Sequence, residues 1–223
     1  MEAYPAARPM DTCVTKSILL STAKGLIKIC VLAGPEDIRN CTFDSQLTPR
    51  SPNTSLLTGH RLLEKFVGQP DARIVAAQAE HNHVIGYGIL AYPEPNERWA
   101  DLGPKVMMEV KAIDVARSWR SYRIASAILK RIIRTPLIEE KIIYMVGYSW
   151  TWDLVGTANT AQQYRPVLIR LFEPQGFSQY QTNEPNVCLK AENLFMCRVG
   201  KHVPRVVRDR FKWLRFGLSP WSW

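Results

Sequence analysis

The chain has 223 residues, 46% of them apolar, and carries 29 lysines and arginines against 20 aspartates and glutamates, a formal net charge of +9. At roughly 150 residues per domain this length favours one large domain with its own core, and the composition excludes a disordered or fibrous chain. Its apolar stretches fall short of the roughly 20 residues a bilayer span needs, and the start Met1-Glu2-Ala3-Tyr4-Pro5 lacks a secretory signal, so a cytoplasmic protein without a membrane partner is expected.

In chain order, residues 26–32 read as a strand, and Pro35-Glu36-Asp37 opens a short helix. Residues 45–55 are rich in Ser, Thr, Pro and Asn and form a loop; residues 56–67 place apolar side chains at 57, 62, 63, 66 and 67, a helical spacing. Residues 73–79 and 84–92 are β-rich runs around the turn Glu80-His81-Asn82-His83, a hairpin pattern. A proline-bearing loop, 93–104, leads to a third strand at 106–115. Residues 121–134 are helical, with Ile124, Ile128, Leu129, Ile132 and Ile133 on one face, and Pro136 follows. Residues 141–146 fit a buried strand. Residues 159–172 read as a helix in which Pro166 is tolerable only near the first turn or as a kink. Residues 193–199 form a last strand and 204–214 a basic amphipathic helix with Val206, Val207, Phe211 and Leu214 inward. The order predicts a mixed α/β (α+β) sheet rather than a doubly wound one. The domain is expected over 15–217, with a flexible start at 1–14 and a tail at 218–223.

The five cysteines (13, 30, 41, 188, 197) show no Cys-x-x-Cys pair, and of the four histidines only His81 and His83 are neighbours, so neither a disulfide framework nor a metal is expected. The charge is localised. Residues 111–134 hold seven basic residues and Asp114, and 198–215 hold seven and Asp209; each window is +6, leaving the remainder at −3. Two basic surfaces on a mildly acidic body suggest anionic partners or a solvated helix face. Nucleic acid ranks last among those partners, since no reader motif is present.

The junction of the third strand with its helix, Ile113-Asp114-Val115-Ala116-Arg117-Ser118-Trp119-Arg120-Ser121-Tyr122-Arg123-Ile124-Ala125, is the most chemically suggestive stretch. Free amides at a helix N-terminus, with Arg120 and Arg123 beside them, suit a phosphate or diphosphate. This stretch resembles the Gcn5-related N-acetyltransferase superfamily, whose acetyl-coenzyme A loop reads Arg/Gln-x-x-Gly-x-Gly/Ala. Arg120 and Ala125 match, and Arg123 stands at the glycine position. Asn159, Ala161, Tyr164 and Gly176-Phe177 resemble the superfamily's following segment. A narrower resemblance is to the acetoin-utilisation protein acetyltransferases. It is carried by Glu97-Arg98-Trp99, Ala112-Ile113-Asp114-Val115, Tyr148-Ser149-Trp150-Thr151-Trp152-Asp153-Leu154-Val155-Gly156-Thr157, Tyr164-Arg165, Cys188-Leu189, Arg198-Val199-Gly200-Lys201 and Leu214-Arg215-Phe216, over residues 15–217.

The resemblance implies a mostly antiparallel sheet with a splayed strand pair and flanking helices. It also implies acetyl-coenzyme A along Ile113, Val115, Arg120, Ser121, Tyr122, Arg123, Ile124, Ala125 and Asn159, and as partner an AMP-forming acetyl-coenzyme A synthetase inactivated by acetylation of a lysine. Free lysine, with a pKa near 10.4, is nucleophilic in only about one molecule in two thousand at neutral pH, so a base is needed. Asp114, which matches a glutamate of the narrower family, is the first choice, and Glu109, at a position where superfamily members often carry a glutamate, the second. Five residues apart, they lie on opposite faces of a regular strand; the β-bulge typical of the superfamily would bring them to one face. The Val115 amide suits the thioester oxyanion, and Tyr164 suits the acid for the leaving sulfur. Trp150 and Trp152, on the same side if the segment is extended, could wall a substrate cleft or fill the core. Asp153 could meet a cation of the substrate or cap the next turn. Two other functions stand beside protein acetylation: transfer to a small-molecule amine, and a non-catalytic acyl-coenzyme A- or partner-binding module.

Overall fold

A computed structural model describes residues 17–47, 59–69 and 71–218. Its elements are β1 (Ser17–Thr22), β2 (Gly25–Leu32), α1 (Pro35–Arg39), β3 (Thr42–Phe43), α2 (Gly59–Val67), β4 (Arg73–Gln78), β5 (His83–Ala91), β6 (Met107–Val115), α3 (Ile124–Ile132), β7 (Ile142–Gly147), α4 (Leu154–Thr157), α5 (Ala161–Phe172), β8 (Ser178–Gln179), α6 (Pro185–Cys188), β9 (Leu194–Val199) and α7 (Arg205–Leu214). The strands form one sheet in the order β1-β2-β4-β5-β6-β7-β9-β8, with β3 added against β5. Among the described residues only β3–β5 and β6–β7 pair in parallel. This is the mixed, mostly antiparallel sheet with flanking helices that the element order and the resemblance imply.

Apolar side chains cover both faces of the sheet. On one, Ile29, Val75, Leu90, Met108, Val110 and Val115 meet Ile124, Ile128, Leu129 and Ile132 of α3 and Phe172 of α5. Each of these fully buried aliphatic side chains contributes roughly 2 kcal/mol. The contact is close because β5 carries Gly88: a Cβ there would stand 2.6 Å from Ile128 Cγ2. On the other face Leu32, Ile74, Tyr87 and Ile89 meet Ile38 of α1 and Leu63 and Phe66 of α2. A third cluster, Trp99, Tyr144, Phe195, Val207 and Phe211, joins β7 and β9 to α7.

Several boundaries differ from the sequence pattern for local reasons. Helix α3 begins at Ile124 rather than 121, because Ser121 and Arg123 have φ of 71° and 60°, a left-handed backbone that no α-helix accommodates. Helix α5 begins at Ala161 rather than 159, behind an N-cap at Thr160 closed by a reciprocal box with Gln163, and it runs on through Pro166 in its second turn. In α7 the inward residues are Val207 and Phe211, with Leu214 half-buried; Val206 is 60% exposed, one residue being about 100° round the axis. Strands β1, β3 and β8 and helices α4 and α6 have no counterpart in the sequence pattern. Of the loop and helix expected over 45–67, residues 48–58 lie outside the described residues, as do 1–14 and 219–223.

The C-terminal basic cluster is partly consumed within the fold. Arg208 donates to the carbonyls of Val203 (2.8 Å), Lys201 (2.8 Å) and Gly200 (3.2 Å). Arg198 pairs with Glu139, and Arg215 donates to Gln181 O at 3.1 Å while its guanidinium lies over the Tyr180, Phe211 and Phe216 rings. Among the described residues no helix is long and apolar enough to cross a membrane.

Candidate active site

Strand β6 positions the site. Its pairing with β5 runs Gly86↔Val115, Tyr87↔Asp114, Gly88↔Ile113 and Ile89↔Ala112, then jumps to Leu90↔Val110, leaving Lys111 as the extra residue of a β-bulge. The alternation resets across it. Met108, Val110, Ile113 and Val115 all pack toward α3, while Glu109, Ala112 and Asp114 share the opposite face. Glu109 and Asp114, which five-residue spacing would separate, therefore lie on one side.

The same strand opens the sheet. β6 pairs with β7 only through Met107↔Ile142, Met108↔Ile143 and Glu109↔Tyr144; beyond that point β6 continues on β5 and β7 on β9. The amide of Ala116 donates to Ile85 O, so, by strand alternation, the N–H of Val115 points away from β5 toward the opened side. That is the direction an oxyanion donor needs.

A cavity of about 460 Å3 lies where the splay begins, lined by Glu97, Trp99, Glu109, Lys111, Tyr144 and Tyr148, with Asn96, Arg98, Val146 and Glu184–Asn186 around them. Lys111 forms ion pairs with Glu109 and with Glu97, the latter at 3.2 Å. The Tyr144 hydroxyl lies 3.3 Å from both Glu97 Oε2 and Glu109 Oε2. Burial pushes the Glu109 carboxyl above the ordinary carboxylate range and Glu97 pushes it further, while the Lys111 ammonium and the bonds from Lys111 and Tyr144 pull it back. Burial would depress Lys111, but Glu109 and Glu97 outweigh it and hold the ammonium above its usual value. Burial, with Glu109 and Glu97, raises Tyr144 far above a free phenol, and Tyr148 is pushed up to about 12 by burial and by Glu184, Glu109 and Glu97. The arrangement holds a carboxylate of raised basicity over a cavity fit for an amine.

Asp114 lies further along the strand. Burial, and after it the Asp114 charge, raises the pKa of Tyr87, and burial with the charges of Asp114 and Asp153 raises that of Tyr164 on α5. Arg120 opposes the Tyr164 shift, but the phenol stays above its ordinary value and is protonated at neutral pH. Tyr164 is half-buried and stacks on Trp152 at 5.4 Å.

The junction after β6 is fastened by the segment that follows β7. Asp153 accepts from Arg117 Nε at 2.8 Å and Nη2 at 2.5 Å, pairs with Arg120 at 2.9 Å, and caps α4 through the Gly156 amide at 3.2 Å. Thr157 donates its hydroxyl to Asp153 O at 3.0 Å. Gly156 leaves room for the guanidinium: a Cβ there would stand 1.9 Å from Arg117 Nε. Asp153 thus caps the next turn, one of the two uses open to it, and holds arginines of its own chain. Arg120 also donates to Val115 O at 3.1 Å, so its charge faces the strand end and Asp153; its Nη1 is buried with no partner among the described residues. Ser121 and Arg123 flank Tyr122 in left-handed backbone, and Tyr122 meets Trp119 edge-on at 6.4 Å. Ile124 is buried and Ala125 half-buried at the start of α3, and half-buried Asn159 immediately precedes the α5 cap. Arg123 supplies the left-handed turn that a glycine would adopt more easily, and the first amides of α3 follow it. These amides are donors of the kind a diphosphate needs.

The two tryptophans do not share a side. Ser149–Thr151 is a 3-10 turn, not an extended segment. Trp150 is 41% exposed and stacks on Tyr148 at 4.8 Å, with Lys190 over its ring, whereas Trp152 packs into the α3-side core. Sequence reasoning assigned no role to Glu97, Lys111, Tyr144, Tyr148 or Arg117. Lys111 was findable, standing two residues from Glu109 and thus on its face of the strand. Among the described residues no group of three His, Cys, Asp or Glu is placed to hold a metal.

No protein-family model matches the chain. It is 30% identical over 197 residues to the acetoin utilization protein AcuA of Bacillus licheniformis, covering 88% of this chain and 92% of that one. It is 29% identical over the same length and shares to AcuA of Bacillus subtilis strain 168. It superposes with a TM-score of 0.82 and 26% identity on the crystal structure of an acetoin utilization protein from Exiguobacterium sibiricum, covering 90% of this chain and 93% of the other. With the same fold beneath that identity, the chain belongs to the AcuA family of acetoin utilization proteins.

Proposed function

We propose that this acetyl-coenzyme A-dependent N-acetyltransferase acts on a protein, moving acetyl from the thioester to a lysine of an AMP-forming acetyl-coenzyme A synthetase and thereby inactivating it. The observation that carries the reading is the carboxylate-lined cavity at the mouth of the β6–β7 splay, on the strand whose other end leads into a helix start able to hold a diphosphate. In this reading the α3 amides, Arg120 and Arg123 receive the diphosphate, and the Val115 N–H receives the developing oxyanion. Glu109 takes the proton of the attacking amine, and Tyr164 supplies one to the departing thiolate. Glu109 is preferred over Asp114 because it lines the cavity; Asp114 stands at the far end of the strand. Trp150, exposed beside the mouth and stacked on Tyr148, offers the partner an apolar foothold. The setting is the cytoplasm, whose reducing conditions suit the free thiols of Cys30, Cys41, Cys188 and Cys197.

The test is calorimetric titration with acetyl-coenzyme A, then mass spectrometry after incubation with an acetyl-coenzyme A synthetase. Binding, with one acetyl gained on one synthetase lysine, supports the proposal; binding without transfer to the synthetase refutes the acceptor. Three carboxylates around the cavity, Glu97, Glu109 and Glu184, favour a second reading, transfer to a small polyamine, which the same assay with spermidine tests.

A further inference from the structure

We infer that Lys111 is a positioning residue for the transfer: its ammonium, clamped between Glu97 and Glu109 at the start of the splay, fixes the Glu109 carboxylate as the acceptor of the amine's proton. The inference rests on the proposed reading of the site as an amine acetyltransferase with Glu109 as its base.

Placement carries the first part. The bulge inserts Lys111 beside Glu109, and both side chains are largely withdrawn from water, 14% and 17% exposed. A desolvated ion pair holds only when its remaining donors and acceptors are also paired. Here the donors are matched: Lys111 Nζ lies 3.2 Å and 3.5 Å from the two oxygens of Glu97, and the Tyr144 hydroxyl, 3.3 Å from both carboxylates, can give its one hydrogen to either.

Charge counting carries the second part. The titratable and charged groups facing Glu109 are Glu97 and Arg98 from the loop before Trp99, Lys111 on its own strand, Tyr144 of β7, Tyr148 beyond it, and Glu184 at the N-cap of α6. Arg98 is turned away, donating to Asn183 Oδ1 at 2.6 Å and to Arg215 O at 3.2 Å. Lys111 is thus the cation that separates two close carboxylates. Without it, like-charge repulsion and burial would drive one of them to keep its proton. A protonated Glu109 cannot accept a proton from the amine.

The experiment compares wild-type, Lys111→Met, Lys111→Arg and Glu97→Gln chains. Each is checked for fold by circular dichroism and for acetyl-coenzyme A affinity by calorimetry. The acceptor kcat/KM at saturating acetyl-coenzyme A is then followed against pH, with an acetyl-coenzyme A synthetase and with spermidine. For Lys111→Met the acid limb should move up by about one pH unit, a roughly tenfold loss on the acid side of the wild-type limb that recovers in alkali, with acetyl-coenzyme A affinity unchanged. Lys111→Arg should keep the wild-type limb, and Glu97→Gln, which removes the repelling charge, should move it down. A Lys111→Met loss that is equal at every pH, or a Glu97→Gln limb that stays in place, overturns the inference. Should Lys111→Met not fold, the Glu97→Gln arm decides alone. If the wild-type chain acetylates neither acceptor, the functional reading fails instead. Carbon-13 NMR titration of Glu109 in wild-type and Lys111→Met chains then tests the clamp directly, an unshifted Glu109 overturning it.

Discussion

Two ionic clusters lie at opposite ends of β6, built from the same kinds of residue and turned to different ends. At the junction with α3, Asp153 is held by two arginines and a backbone amide, and every contact faces another part of the chain. At the splay, Glu97, Lys111, Glu109 and Tyr144 form a network with one side against β7 and the other against a cavity. The first cluster fixes a loop. The second keeps charge at a surface where a ligand can meet it. An ion pair is therefore a poor indicator of function until its solvent side is known.

Breaking the splay cluster should cost the most activity. Glu109→Gln is expected to lower acetyl transfer by about a hundredfold or more, the usual share of a general base, while acetyl-coenzyme A affinity stays constant. Asp114→Asn should cost less, and steady-state rates of the two variants side by side decide; a larger loss in Asp114→Asn would reverse the assignment. Breaking the junction cluster should cost stability instead. Asp153→Ala removes a cap and leaves Arg120 half-buried without its partner, an expected loss of about 2 kcal/mol, read as a thermal midpoint lower by several degrees. It should also weaken acetyl-coenzyme A binding, because the loop before α3 loses its anchor. Gly156→Ala, which displaces the Arg117 guanidinium, should follow in the same direction with a smaller effect.

Arg123→Gly sharpens the comparison, since it relieves a left-handed residue without touching either ion cluster. Stability should rise by up to about 1 kcal/mol in denaturant melts. Acetyl-coenzyme A affinity should hold if the α3 amides make the contact and fall if the guanidinium does. Glu139, remote from both clusters, serves as a control. The Lys201 amide and Arg198 hold its carboxyl below the ordinary range, so it contributes stability above the unfolded-state value that is lost as pH falls through the folded-state one. Glu139→Gln should flatten that acid limb slightly and leave the pH profile of transfer unchanged.

The strands from 73 to 115 and the core face of α3 were legible because their burial is one-sided or continuous, which leaves a period in the sequence. Strands β3 and β8, two residues each, leave none. The bulge at Lys111 was accessible only through family resemblance, because a single extra residue does not disturb composition. The tryptophans misled because Ser149–Thr151 coils into a 3-10 turn, and alternation predicts a shared side only for extended backbone. Glu97 and Tyr144, 47 residues apart in sequence, meet only through the β6–β7 pairing and the packing of Trp99. No local pattern announces such a pair.

The arginines of the C-terminal segment bear on how this chain meets other molecules in solution. Arg198, Arg208 and Arg215 are bonded within the fold, so the cluster presents less mobile charge than its +6 implies. Their charge is fixed in place rather than removed, because Arg208 and Arg215 donate to neutral carbonyls and Arg198 alone meets a carboxylate, so encounter with an anionic partner should slow as ionic strength rises.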